Sequence, residues 1–348
     1  VTAKERFRAT VCRQPVDRPC VDYEANPDVS EALCRHLDLS DLEALRQALG
    51  SDLRNLVSAA PYTGEPFPPM PDGAPRDYFG VPDSRGTYSS TVYRPPLASV
   101  ETVAEVEAHP WPCAGDFDYS GLRALCEAHA DYVTCGGAWS PMLCTAMHLT
   151  GMVEFLELMA SKPAVAEAIL EHLCEFFYRY SERYFEATRG VLDVFFMGDD
   201  FGIQTGPMIS PAMFQRFLLP RLKRLYGLAK DHGLPVMMHS CGAIHPLIPD
   251  LIDIGLDILD PIQVRAADMD IEGLKRDFGR DITFHGSIDT QQTLPRGSVA
   301  DVEAEVRARL DLFAEDGGFI CCGSQHYMID IPPENILAIY RTCGTLKV

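Results

Sequence analysis

At 348 residues, the chain has room for two average domains or one large α/β barrel. Hydrophobic residues make up 47% and charged residues 23%, a balance that supports a substantial core in a soluble protein. Fifty acids against thirty bases give a net charge of −20, which excludes nucleic acid and anionic membrane as expected partners, since both are bound through a basic face.

The opening "VTAKERFRAT" has no apolar signal core, and no run approaches about 18 uninterrupted apolar residues. Twelve cysteines are scattered through apolar segments, which reads as a cytoplasmic chain with free thiols. Short apolar runs then alternate with longer helical patterns. The candidate strands are "CVDY" (20–23), "NLVSA" (55–59), "YVTCGG" (132–137), "LDVFFMGD" (192–199), "PVMMHS" (235–240), "LDILD" (256–260), "ITFHG" (282–286) and "FICCG" (319–323). Amphipathic helices lie between them. One opens at Pro163 and ends at Gly190, and another closes on Gly317-Gly318. Eight buried strands, each followed by a helix, predict a single α/β domain over 1–348, a (β/α)8 TIM barrel. Residues 60–100, rich in Pro, Gly and Tyr, break the pattern as an irregular insertion after strand 2. A hairpin is expected over 78–94, and the insertion is a candidate lid.

In a parallel barrel the active site lies at the carboxyl ends of the strands, and polar or metal-capable side chains collect there. They are Tyr23, Glu24, Trp139, Asp199, Asp200, His239, Cys241, Gln263, His285, Asp289, Cys322, Gln325 and His326. In "HSCG", His239 and Cys241 bring an imidazole and a thiol to one turn, a pairing that suits zinc or a plain structural turn. Further ligands are sought on strand 8, at Cys322 and His326. Of the adjacent acids, one of Asp199 and Asp200 is expected to face the mouth as acid, base or acceptor while the other caps a turn. His285 is a candidate proton donor, with Asp289 beside it. Tyr23, Glu24, Trp139, Gln204, Gln263 and Asp289 are candidates for binding substrate. The chain has no phosphate-binding glycine loop and no Gly-x-Ser-x-Gly elbow.

Three stretches, "HSCGAIHPLIPDLIDIGLDILDPIQ", "FHGSIDT" and "GGFICCGSQHYMIDIPPENILAIY", resemble the uroporphyrinogen decarboxylase superfamily, and the similarity runs from "ERFRATVCRQPVDRP" onward. The resemblance implies the barrel and one of two chemistries. Decarboxylases of the superfamily need no cofactor and carry an arginine-rich stretch after the first strand. Here that region reads "VDYEANPDVSEAL", with Glu24 and Asp28 and no arginine before Arg35, a poor match for a polyanionic porphyrinogen. The corrinoid-dependent, methylcobamide:coenzyme M-type methyltransferases share the His-x-Cys pair, matched by His239 and Cys241. Their third zinc ligand falls here on Gln325, with His326 one residue on and Cys322 three before. The resemblance therefore implies a methyltransferase using zinc, with a corrinoid (methylcobalamin) brought by a partner protein and a small methyl donor or acceptor as substrate. Relatives of this type also make a homodimer possible. The alternative is a cofactor-independent decarboxylase of a small acid, with Asp199 or Asp200 as proton source.

Overall fold

A computed structural model describes residues 1–71, 73–82, 94–315 and 317–348. It contains eight parallel strands: β1 (Cys20–Val21), β2 (Leu53–Asn55), β3 (Val133–Gly136), β4 (Val194–Gly198), β5 (Val236–His239), β6 (Ile258–Ile262), β7 (Thr283–Ile288) and β8 (Phe319–Gly323). Each pairs with the next from β2 to β8, and β8 pairs with β1. The result is a nearly closed (β/α)8 barrel. Between β1 and β2 there is no ladder, and Asp52 spans the gap. Its amide donates to the Val21 carbonyl at 2.9 Å and its carboxylate accepts the Val21 amide at 3.1 Å.

The residues that alternate inward fill the barrel. Cys20, Leu53, Val133, Val194, Met237, Ile258 and Ile320 form a buried cluster, closed below by Phe7 of the first helix (Ala3–Val11). A larger apolar layer lies between strands and helices. In the helix Pro163–Ala187, Val165, Ile169, Leu173, Phe176, Tyr180 and Tyr184 recur every three or four residues and bury one face. All twelve cysteines are free. Among the described residues, no single helix is long and apolar enough to cross a membrane.

Strand β2 departs from expectation. It occupies Leu53–Asn55 rather than 55–59, because Arg54 is fully buried within it. The guanidinium bonds Glu43 at 2.8 Å through two nitrogens and lies 3.6 Å from the centre of the Tyr132 ring, so a charge that argued against a strand is satisfied inside it. The hairpin expected over 78–94 falls largely outside the described residues. The described flanks of the insertion are anchored: Tyr78 and Phe79 pack on Phe176, and Leu97 donates its amide to the Leu149 carbonyl at 2.7 Å.

Candidate active site

The carboxyl ends of β4 and β5 bring three groups together. A carboxylate oxygen of Asp200, a ring nitrogen of His239 and the Cys241 sulfur lie within 4.8 Å of one another. The turn that carries them is tightly built. Gly242 adopts φ +82°, and a Cβ there would meet the Gly202 backbone at 2.5 Å, so only glycine fits. Gln263 accepts the Gly242 amide at 2.7 Å, Asp200 accepts the Cys241 amide at 3.1 Å, and the Ser240 hydroxyl accepts the Phe201 amide at 3.0 Å. Gly198, at the end of β4, leaves room for the Trp139 indole, whose ring lies 5.5 Å from that of His239.

Behind this cluster runs a buried chain of alternating acids and imidazoles. His239 Nδ1 bonds Asp260 at 2.8 Å, and the other Asp260 oxygen meets His285 Nδ1 at 2.5 Å. His285 Nε2 then reaches Asp22 at 3.2 Å, and Asp22 accepts from Ser51 at 3.1 Å. A register irregularity in β6 between Leu259 and Ile262 brackets Asp260, and such a bulge re-aims side chains. Burial alone would lower both imidazole pKa values. For His239 the bonds to Asp260 and Cys241 prevail, and for His285 the neighbouring Cys322 sulfur, the Asp260 carboxylate and the hydrogen bond to Asp22 prevail, so both are raised well above the ordinary value. Burial pushes Asp260 and Asp22 the other way, and their imidazole partners hold both below the usual carboxylate range.

The remaining candidates are distributed as follows. Asp199 is buried and accepts the amides of Leu143 and Cys144 at 2.5 and 2.9 Å, which caps the helix Met142–Thr150, and burial pushes its pKa up to about 7. It is therefore Asp200 that faces the mouth. Cys322 sits 3.5 Å from the His285 ring nitrogens, and burial pushes its thiol up to about 12. His326 pairs with Glu24 at 3.3 Å, and Gln325 accepts the His326 amide at 3.0 Å. Tyr23 is packed against Tyr327 and Tyr340 with its hydroxyl 3.0 Å from Ser30. Asp289 bonds Arg265 at 2.6 Å and caps Gln291 and Gln292. Gln204 is exposed on the short hairpin Gly202–Pro207. Two buried residues of the site, Asp22 and Asp260, escaped the sequence reading. Their signal was an aspartate at the carboxyl end of a candidate strand, in "CVDY" and "LDILD".

The uroporphyrinogen decarboxylase (URO-D) family profile matches residues 84–346. The chain belongs to this family. Two curated relatives divide between its chemistries. One, a methylated-thiol–coenzyme M methyltransferase of Methanosarcina mazei, is 25% identical over 200 residues, covering 57% of this chain and 49% of that protein. The other, a uroporphyrinogen decarboxylase of Syntrophotalea carbinolica, is 27% identical over 223 residues, covering 62% and 59%. The chain thus aligns with only about half to three-fifths of each. A solved methyltransferase from Methanosarcina mazei shares the fold over 99% of this chain and 98% of its own, with a TM-score of 0.70 at 19% identity. Family members are enzymes of both kinds, so the site itself has to discriminate between them.

Proposed function

We propose that the chain transfers a methyl group between a small substrate and a corrinoid carried by a partner protein, with zinc held by His239, Cys241 and Asp200. The observation that carries this reading is the convergence of their three donor atoms within 4.8 Å, backed by the bond from His239 Nδ1 to Asp260. One imidazole nitrogen, one sulfur and one carboxylate oxygen form a donor set that zinc accepts, with the fourth position left for substrate. A carboxylate behind a ligating imidazole is the usual way of fixing the ring and raising its basicity. Asp200 takes the third position in this reading because Cys322 is held against His285 and His326 against Glu24.

Methyl transfer breaks the bond between carbon and a substrate heteroatom and leaves the electron pair on the heteroatom. Zinc bound here supplies the positive charge that stabilises such a thiolate or alkoxide. The chain's own residues do the positioning. Asp260 aims His239, while His285 and Asp22 hold Asp260. Asp200 and the Trp139 indole border the space where the reacting group sits.

The decarboxylase relative supports the competing reading, with Asp199 as a cofactor-free proton source, but both of its oxygens are engaged by backbone amides. The decisive experiment is metal analysis of wild type and Cys241→Ser purified without added metal. About one zinc per wild-type chain, lost in the variant, is expected, together with methylation of cob(I)alamin by a supplied methyl donor, such as a methylated thiol, in the wild type alone. A wild-type protein that neither holds nor takes up zinc overturns the proposal and leaves decarboxylation as the leading activity.

A further inference from the structure

The end of the barrel opposite the mouth holds a cavity of about 330 Å³, within the range of small-ligand pockets. It lies at the amino ends of three strands: Val133 opens β3, Leu192 precedes β4 and Pro235 precedes β5. Pro235 stands four residues before His239, a rise of about 13 Å along the strand, so the cavity is separate from the Asp200–His239–Cys241 cluster. Its floor is apolar. Phe7 and Phe185 are buried there, and the His232 ring packs on Phe185 with centroids 5.4 Å apart.

The rim is basic, against the trend of a chain whose net charge is −20. Lys4 and Arg8 come from the first helix, Ala3–Val11, and Arg189 follows the helix Pro163–Ala187. Asp193 is the one carboxylate among the described lining residues, so three cations against one acid leave a formal charge of +2. That acid is already engaged, by Lys4 at 2.8 Å and by the Thr134 amide and hydroxyl at 3.0 Å each. Glu5, one turn before Arg8, is held in the capping box with Thr2. The guanidinium groups of Arg8 and Arg189 are exposed and make no hydrogen bond or ion pair among the described residues. One basic residue at a helix end offsets the helix dipole. That use does not require basic residues of two separate helices to line a single cavity.

We propose that this cavity binds a phosphate monoester with a compact ring, at a ligand site independent of the reaction at the mouth. A phosphate monoester carries a charge of about −1.5 to −2 near pH 7. That matches the rim, whereas a carboxylate offsets only half of it. A guanidinium fork pairs with two phosphate oxygens at once, and Arg8 and Arg189 approach the ligand from different elements. The ring then packs against the apolar floor.

The test is calorimetric titration of the chain with phenyl phosphate, benzoate and benzyl alcohol. Wild type is expected to bind one phenyl phosphate per chain, at least about tenfold more tightly than benzoate, and benzyl alcohol not at all. The double variant Arg8→Gln/Arg189→Gln, changed only at exposed positions, is expected to weaken phenyl phosphate at least about tenfold while keeping the wild-type circular dichroism spectrum. Cys241→Ser is expected to bind it as wild type does. Unchanged affinity in the double variant overturns the inference, as does equal or tighter binding of benzoate or benzyl alcohol by wild type. Loss of binding in Cys241→Ser would put the probe at the mouth and overturns it too. So does the absence of any binding of phenyl phosphate up to about 10 mM.

Discussion

Two buried aspartates anchor opposite parts of this barrel, and their partners differ in kind. Asp52, at the β1–β2 seam, is held by Arg6 at 2.7 Å and Arg18 at 2.9 Å. Asp260, at the mouth, is held by His239 at 2.8 Å and His285 at 2.5 Å. A guanidinium keeps its charge under all ordinary conditions, so the seam has one state only. An imidazole can carry a proton, release it or ligate a metal, so the mouth has several. The contrast separates a charge cluster that closes the fold from one arranged for chemistry.

The most severe way to break this contrast is Asp52→Ala. It removes the acceptor that replaces a missing ladder bond and leaves Arg6, which is 5% exposed, with a buried charge held by Asp17 and the Val1 carbonyl. Breaking one side of a buried pair costs about 3–5 kcal/mol, so chemical denaturation should show a large loss of stability. Zinc bound per folded chain should not change. A variant as stable as wild type would show that the seam closes without the charges.

Asp260→Asn tests the mouth and should behave in the opposite way. His239 and His285 can lose their protons when the carboxylate goes, so the stability cost is expected to be smaller, about 1–3 kcal/mol. The loss should appear instead in metal affinity, which is expected to fall about 10–100-fold when the group behind a ligating imidazole is removed. His285→Gln, which leaves Asp260 in place but unclamped on one oxygen, should give a partial version of the same loss. A competitive chelator titration reads both variants. Unchanged zinc affinity in Asp260→Asn would show that the acid–imidazole chain is only packing.

This division explains what was legible in the sequence. The barrel showed in the alternation of eight apolar runs with helical patterns, and the position of the mouth followed from strand direction. "HSCG" stood out because a His and a Cys two residues apart are rare at a strand end. Asp260 and Asp22 did not stand out, because an aspartate at a strand end looks like a turn residue until β6 and β7 are set side by side. The order of the pair Asp199-Asp200 was also hidden, since the helix that Asp199 caps begins 57 residues earlier, at Met142. Strand β2 starts earlier than its apolar run suggests because the groups that satisfy the buried Arg54, the Glu43 carboxylate and the Tyr132 ring, come from other elements and meet it only in the fold.

Asp289 sharpens the comparison at its smallest scale, because it sits at the mouth end of β7 but is partnered like a seam residue. Burial pulls its pKa upward, yet the bond from Arg265 and the amides of Gln291 and Gln292 prevail and hold it below the usual carboxylate value. A carboxylate whose folded pKa lies below its unfolded one contributes stability that is fully present above the unfolded value, near pH 4. That stability is lost as pH falls through the folded value. Arg265 is 54% exposed, so solvent and salt screen its share, and Arg265→Gln should cost less than about 1 kcal/mol at pH 7. The difference from wild type should shrink toward zero as pH falls below the folded value, and it should also shrink in high salt. Urea melts at pH 7 and pH 3 measure it. A difference that grows at pH 3 would mean that Arg265 acts by something other than its charge, and Asp289 would no longer group with the structural aspartates.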